Sequence, residues 1–193
     1  GRVVARDGSG AAVELASSRW LAGAEATDLR VLARADGPVL DVGCGPGRHV
    51  RALARAGVAA LGLDASPAAV RLARERGTAV IQGSVFDDVP AAGRWRTALL
   101  LDGNVGIGGD PAALLARVAE LLAPDGGVLC ECDAPGSGVR AGPVRLEHEQ
   151  RTSRWFPWAQ VGVDACCEIA LALGFAATAL WEDGGRWFAH LRI

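Results

Sequence analysis

Five short apolar runs recur between Pro38 and Cys132, at residues 39–42, 58–63, 79–82, 97–101 and 128–132. Near-continuous apolar runs of this length read as strands buried on both faces. The segments between them carry helix signals. Residues 48–56 are amphipathic and stop at Gly57. Ser66-Pro67 supplies an N-cap and a first-turn proline for a helix to Arg76. Asp110-Pro111 opens a helix whose Leu114, Leu115, Val118, Leu121 and Leu122 fall on one side. Strands and helices in this alternation predict an α/β fold, a doubly wound, Rossmann-like and mostly parallel sheet with helices on both faces.

The flanks differ in pattern. Residues 2–6 and 11–15 surround Asp7-Gly8-Ser9-Gly10, a hairpin signal, and a helix is expected after Thr27 as N-cap, with Leu29, Leu32 and Ala33 inward. After a loop at 134–142, residues 144–158 are polar, aromatic and extended. Asp164 is expected to cap a helix with Cys166, Ile169, Ala170 and Leu173 inward, closed by Gly174. Residues 176–181 and 186–193 flank Glu182-Asp183-Gly184-Gly185, which predicts an antiparallel C-terminal strand pair. With 193 residues, half of them hydrophobic, one domain is expected. It divides into a hairpin and helix (1–37), a central core (38–135), an insertion or substrate cap (136–160) and a C-terminal helix and hairpin (161–193).

Charge narrows the function classes. The net charge is −2 and the pI about 5.9, against a chain built to coat nucleic acid or an anionic membrane. No apolar run approaches the roughly 18 residues of a membrane span, and no secretory signal pattern opens the chain, so a cytoplasmic location is expected. The chain starts at Gly1, and we expect the native first residue to be missing or a tag remnant to be present. All basic residues are Arg, a skew we read as genome composition. The cysteines Cys44, Cys130, Cys132, Cys166 and Cys167 are odd in number and lack zinc spacing, so they read as buried small hydrophobes. No metal site is expected.

The first apolar run ends in Asp41-Val42-Gly43-Cys44-Gly45-Pro46-Gly47-Arg48. Glycines between a strand and a helix let backbone amides approach a ligand, and the helix start favours negative charge. A dinucleotide fingerprint places its third glycine three residues after the second; here that position is Arg48, and the third glycine is Gly47. Without any Lys, a P-loop is excluded.

From Pro38 to about Pro135 these residues resemble the class I S-adenosylmethionine-dependent methyltransferases, whose first motif is an acidic residue followed by Gly-x-Gly-x-Gly. The C-terminal strand pair matches the same family's sheet. The resemblance implies S-adenosylmethionine as cofactor, its methionine part surrounded by Asp41, Gly43, Cys44, Gly45 and Gly47. It implies that Asp64, followed by Ala65, accepts from both ribose hydroxyls. Ser84 would accept from the adenine amine, with Val85 and Phe86 supplying an apolar wall. Asp102, Gly103 and Asn104 would surround the sulfonium and the approaching substrate. The Asn/Asp-Pro-Pro-aromatic motif of base-methylating members is absent, so a small-molecule acceptor is expected and nucleic acid is not.

Acceptor residues are less legible. A sulfonium already makes the methyl electrophilic, so placement matters more than a dedicated catalytic group. Candidate walls are residues 103–109, the segment 134–158 and the N-terminal hairpin. Arg154, Trp155, Phe156, Pro157 and Trp158 either wall an apolar substrate or plug the sheet. His148 and Asn104 are the catalytic candidates, and no catalytic residue is assigned; His49 and His190 are expected to be structural. A homo-oligomer is neither required nor excluded. Two rival readings are a noncatalytic S-adenosylmethionine-binding module that works through a protein partner, and a nucleotide-sugar or NAD-linked oxidoreductase.

Overall fold

The computed structural model describes residues 3–15, 17–149 and 151–193. A seven-stranded sheet forms its centre, in the order β11(Ala176–Asp183), β12(Arg186–Arg192), β7(Leu122–Cys132), β6(Trp95–Leu100), β3(Val39–Val42), β4(Ala60–Asp64), β5(Val80–Gln82). From β7 to β5 the strands are parallel, whereas β12 runs antiparallel to both β7 and β11. This is the expected Rossmann-like sheet with its antiparallel C-terminal pair. Chain order reverses beside β3, and in open α/β sheets ligands bind at the carboxyl ends of the strands at that reversal.

Helices cover both faces. On one side lie α5(Pro111–Leu121) and α6(Val163–Ala172), with Leu114, Leu115, Val118 and Leu121 sealed from solvent. Burial of each such side chain stabilises the fold by about 1.5–3 kcal/mol. On the other side, Val31 and Leu32 of α2(Ala26–Leu32) pack with Leu53 of α3(Arg48–Arg55), and Val50 of α3 packs with Val70 of α4(Pro67–Glu75). Ser66 and Asp110 cap their helices by accepting from Ala69 N–H and Ala113 N–H.

Several boundaries move. The N-cap of α2 is Glu25, closed reciprocally with Asp28, while Thr27 bonds Asp183 instead and Leu29 is exposed. At α6 the N-cap is Gly162, and Leu173 lies outside the buried face. Residues 124–127, Pro-Asp-Gly-Gly, form a bulge in β7 between pairings to Trp95 and Thr97. The extended segment after 134 is built into a sheet. It supplies β8(Val139–His148), β9(Arg151–Thr152) and β10(Phe156–Val161), which join the hairpin β1(Val3–Asp7) and β2(Ala12–Leu15) in a second, antiparallel sheet. The expected strand residue Arg2 lies outside the described residues. A short helix, α1(Ser17–Leu21), follows the hairpin.

The two sheets meet where the site lies. Ile107 bridges Trp158, and Asp133 bridges Gly162. Between them Gly106 passes so close to β10 that a Cβ there would stand 1.8 Å from the Ala159 carbonyl oxygen.

Beneath the turn after β3 lies a buried ionic layer. Arg48, 4% exposed, donates to Asp28 at 3.1 Å and to both oxygens of Asp102 at 2.5 and 2.8 Å. Arg186 donates to Asp28 at 2.7 Å and grips Glu131 at 2.6 and 2.8 Å. His49 lies 3.6 Å from Asp41 and 3.8 Å from Asp28. Arg19 of α1 approaches Asp28 and Asp102 at 3.9 and 3.8 Å. Four carboxylates thus face Arg48, Arg186, Arg19 and a histidine. Burial would raise the Asp28 carboxyl, but His49, Arg48 and Arg186 hold it far below the usual range. Burial would likewise lower His49, yet Asp28 and Asp41 outweigh it and raise the imidazole to about 9.

Two measurements check these contacts. Gly106→Ala is expected to destabilise the fold by at least about 3 kcal/mol, because a backbone carbonyl cannot move aside; an unchanged thermal midpoint would contradict the contact. His49 is protonated more readily folded than unfolded, so its stabilisation is full below pH about 6.5 and is lost as pH rises through about 9. Thermal melts should therefore fall across that window in the native chain and fall less in His49→Gln. The variant is the proper reference, because buried thiols also destabilise the fold above their unfolded pKa.

Candidate cofactor and acceptor site

The turn after β3 is built by three glycines with left-handed φ: 72° at Gly43, 54° at Gly45 and 80° at Gly47. They do different work. A Cβ on Gly43 would lie 2.7 Å from Asn104 Nδ2, and one on Gly47 would lie 2.5 Å from Thr78 Cγ2. Those two are needed for packing. Gly45 has nothing within 4 Å of its missing Cβ, so it alone offers open space. Cys44 fixes the floor: its N–H donates to Leu63 O, its side chain is buried, and burial pushes the thiol well above its ordinary range.

Asp64, at the end of β4, accepts from Gly45 N–H at 2.7 Å and Ser66 N–H at 2.8 Å, one bond to each oxygen. Each oxygen keeps further acceptor capacity. Burial raises this carboxyl, and the Ser66 and Gly45 amides oppose the rise. Ala65 beside it is exposed. Asp41 is different: it is 1% exposed, neither oxygen has a hydrogen-bond partner, and its ion-pair neighbour is His49.

The loop after β6 closes over the turn. Asp102 has φ 57°, a strained value for a residue with a side chain, and is held there by Arg48 and by its own N–H bond to Glu131 at 2.8 Å. Gly103 follows with φ 76° and open space at its Cβ position. Asn104 Nδ2 donates to the carbonyls of Val42 and Gly43 at 2.8 and 3.0 Å, tying the two loops together. After β5, Ser84 Oγ accepts from Phe86 N–H at 3.2 Å. Val85 is 3% exposed and belongs to the core, so its side chain cannot wall a ligand, whereas Phe86 is exposed and packs over Gly108.

The structure thus brings Gly43, Gly45, Asp64, Asp102, Gly103 and Asn104 to one end of the sheet. It does not bring His148 there. That residue pairs with Val3 and Arg151, six residues along β8 from Gly142, which opposes Trp158; at about 3.3 Å per residue this is roughly 20 Å. A cleft of about 420 Å³ opens between Gly108, Gly109, Asp110, Gly142, Pro143, Trp155, Phe156 and Pro157. Arg145 stacks over Trp155 at 4.9 Å, and Phe156 meets Trp158 edge-on. Among the described residues no cluster of three or more His, Cys, Asp or Glu is arranged to hold a metal, and no helix is long and apolar enough to cross a membrane.

Sequence reasoning missed the ionic layer. Arg48 carried the signal. A cation in the first turn of a helix opposes the helix dipole, so it requires carboxylate partners, which Asp28 and Asp102 supply.

The residues present fit an S-adenosyl ligand. Gly45 and Gly103 leave room that a Cβ would fill, and Asp64 stands beside Gly45 with acceptor capacity to spare. A family model described as "Methyltransferase domain" matches residues 39–126. A search of curated proteins returns no match. Among solved structures, the chain resembles a SAM-dependent methyltransferase from Bacteroides fragilis in complex with S-adenosyl-L-homocysteine, at 23% identity and TM-score 0.82, over 99% of this chain and 87% of that one. It also resembles CalS10, an amino pentose methyltransferase from Micromonospora echinaspora with SAM bound, at 21% identity and TM-score 0.65, over 92% and 94%. A third is the 1,6-didemethyltoxoflavin-N1-methyltransferase of Burkholderia thailandensis, at 20% identity and TM-score 0.61, over 87% and 78%. Residues 39–126 match a methyltransferase-domain model, and the chain as a whole shares the fold of solved S-adenosylmethionine-dependent methyltransferases.

Proposed function

We propose that the chain binds S-adenosylmethionine across the ends of β3, β4 and β6 and transfers its methyl group to a small-molecule acceptor. The observation that carries this reading is the middle glycine. Gly45 is the one motif glycine whose missing side chain leaves open space, and its amide is held by Asp64. The resemblance to an amino pentose methyltransferase and to a 1,6-didemethyltoxoflavin-N1-methyltransferase supports the acceptor's size class.

In this reading Asp64 accepts from the ribose hydroxyls, and the backbone of Gly43 to Gly47 lines the methionine part. Asp41 lies beneath that backbone, where its charge favours the ligand's ammonium through the turn while His49 balances it. Ser84 and Phe86 border the adenine end. When bound, S-adenosylmethionine supplies a methyl group on a positively charged sulfur. Asp102, Gly103 and Asn104 set the floor on which an acceptor is placed, and the cleft walled by Trp155 and Phe156 takes its apolar body. Net charge and the missing base-methylating motif favour a metabolite over nucleic acid.

Calorimetric titration tests the cofactor. S-adenosylhomocysteine is expected to bind at micromolar or tighter affinity and NADH not to bind; the reverse would return the oxidoreductase reading. Asp64→Ala is expected to weaken S-adenosylhomocysteine binding by about 1.5–3 kcal/mol, the range for hydrogen bonds to a charged group, with the fold intact by circular dichroism. Unchanged affinity would remove Asp64 from the ribose site.

A further inference from the structure

Beyond the ionic layer, one carboxylate oxygen at this end of the sheet is buried without a hydrogen-bond partner among the described residues. Asp133 follows the last residue of β7, and its Oδ2 is shielded from solvent without a hydrogen bond. Its backbone does not need that side chain: Asp133 N–H donates to Val161 O at 2.8 Å, and its carbonyl accepts from Val163 N–H at 3.0 Å. Nor does it cap α6, whose N-cap is Gly162 and whose first-turn carboxylate is Asp164.

Register places this carboxylate. Asp133 pairs with Gly162 just past β10, and β7 packs on the turn Asn104–Gly106, whose Gly106 faces Ala159 of β10. Alternation gives the face. Leu129 packs on the α2 side, and Glu131 on the same side bonds Asp102 and Arg186, so Asp133 continues that row at the open end of the sheet. Glu131 is consumed by its partners and Asp102 by Arg48. Asp133 is the carboxylate of this row with an oxygen left over.

We propose that Asp133 receives the N–H of an amine acceptor. This rests on the methyltransferase reading and names its substrate class. A carboxylate is too weak a base to ionise a hydroxyl, and it repels an acceptor carboxylate, but it suits a nitrogen that gains positive charge. The acceptor enters as its free amine. Its lone pair forms the new N–C bond, the S–C bond breaks with its electron pair left on sulfur, and the positive charge passes to nitrogen. The N–H of that ammonium donates to Asp133, and its proton later leaves to water. Asp133 thereby orients the lone pair beforehand and stabilises the charge afterwards.

Sinefungin tests this without a known acceptor, because it carries a primary ammonium where the donor carries its transferable methyl, on a carbon in place of the sulfur. Calorimetry should show the native chain binding sinefungin about tenfold or more tighter than S-adenosylhomocysteine, as a charge-assisted hydrogen bond allows. In Asp133→Asn that preference should fall to about twofold or less, with S-adenosylhomocysteine affinity kept. A preference that is absent, or that survives the substitution, would overturn this inference alone. Failure of S-adenosylhomocysteine to bind would overturn the cofactor reading beneath it. Labelled methyl transfer to paired aryl-alkyl primary amines and matching alcohols should mark only the amines; comparable labelling of the alcohols would overturn the acceptor class.

Discussion

The site depends on Arg48. From the first turn of α3 its guanidinium reaches back to Asp28 on α2 and forward to Asp102 in the loop after β6. Three segments distant in sequence are thereby fixed relative to one glycine turn. A lone buried charge would be costly, and removing one member of such a group typically costs about 3–5 kcal/mol. The layer persists because each charge has a partner. Arg186 and Glu131 extend it into the two strands that end beside the loop. What it yields is position: Asp102 is kept in a left-handed conformation that turns the chain sharply into Gly103 and Asn104.

The central sheet was legible because its signals are local. Strand runs, the Ser66 and Asp110 caps and the glycine turn each lie within a few residues of the structure they specify. The place of Asp64 in the fold was legible for the same reason, at the end of the second apolar run. The second sheet was not. Val3 pairs with His148 and Phe156 with Val144, and only the first of these joins segments some 145 residues apart. A polar, aromatic tail and an N-terminal hairpin each looked complete alone, and nothing local says that they share hydrogen bonds.

The ionic layer was hidden for a related reason. Its members come from α1, α2, α3, β3, β7, β12 and the loop after β6, and the bonds of Arg48 and Arg186 that hold it span 20 to 158 residues, beyond any short window of sequence. Val85 illustrates the opposite error. Its motif position suggested a ligand wall, but packing against the core claimed its side chain, and only the neighbouring Phe86 was left at the surface. Thr27 shows the same competition at a helix start, where Asp183 claimed the hydroxyl and Glu25 took the cap.

The second sheet also constrains how the chain reaches its final state. Its first two strands are made more than 120 residues before β8, yet β1 finds its other neighbour only when β8 exists, with Arg6 and Glu147 closing the pairing by two hydrogen bonds at 2.9 and 3.0 Å. The glycine turn and the strands around it are finished long before that. A chain emerging from the ribosome therefore completes its parallel core, from β3 through β7, while β1 and β2 still wait with one edge open. Closure of that edge is a late event in vectorial folding, and a nascent chain stalled before residue 139 would carry the first motif without the sheet beside it.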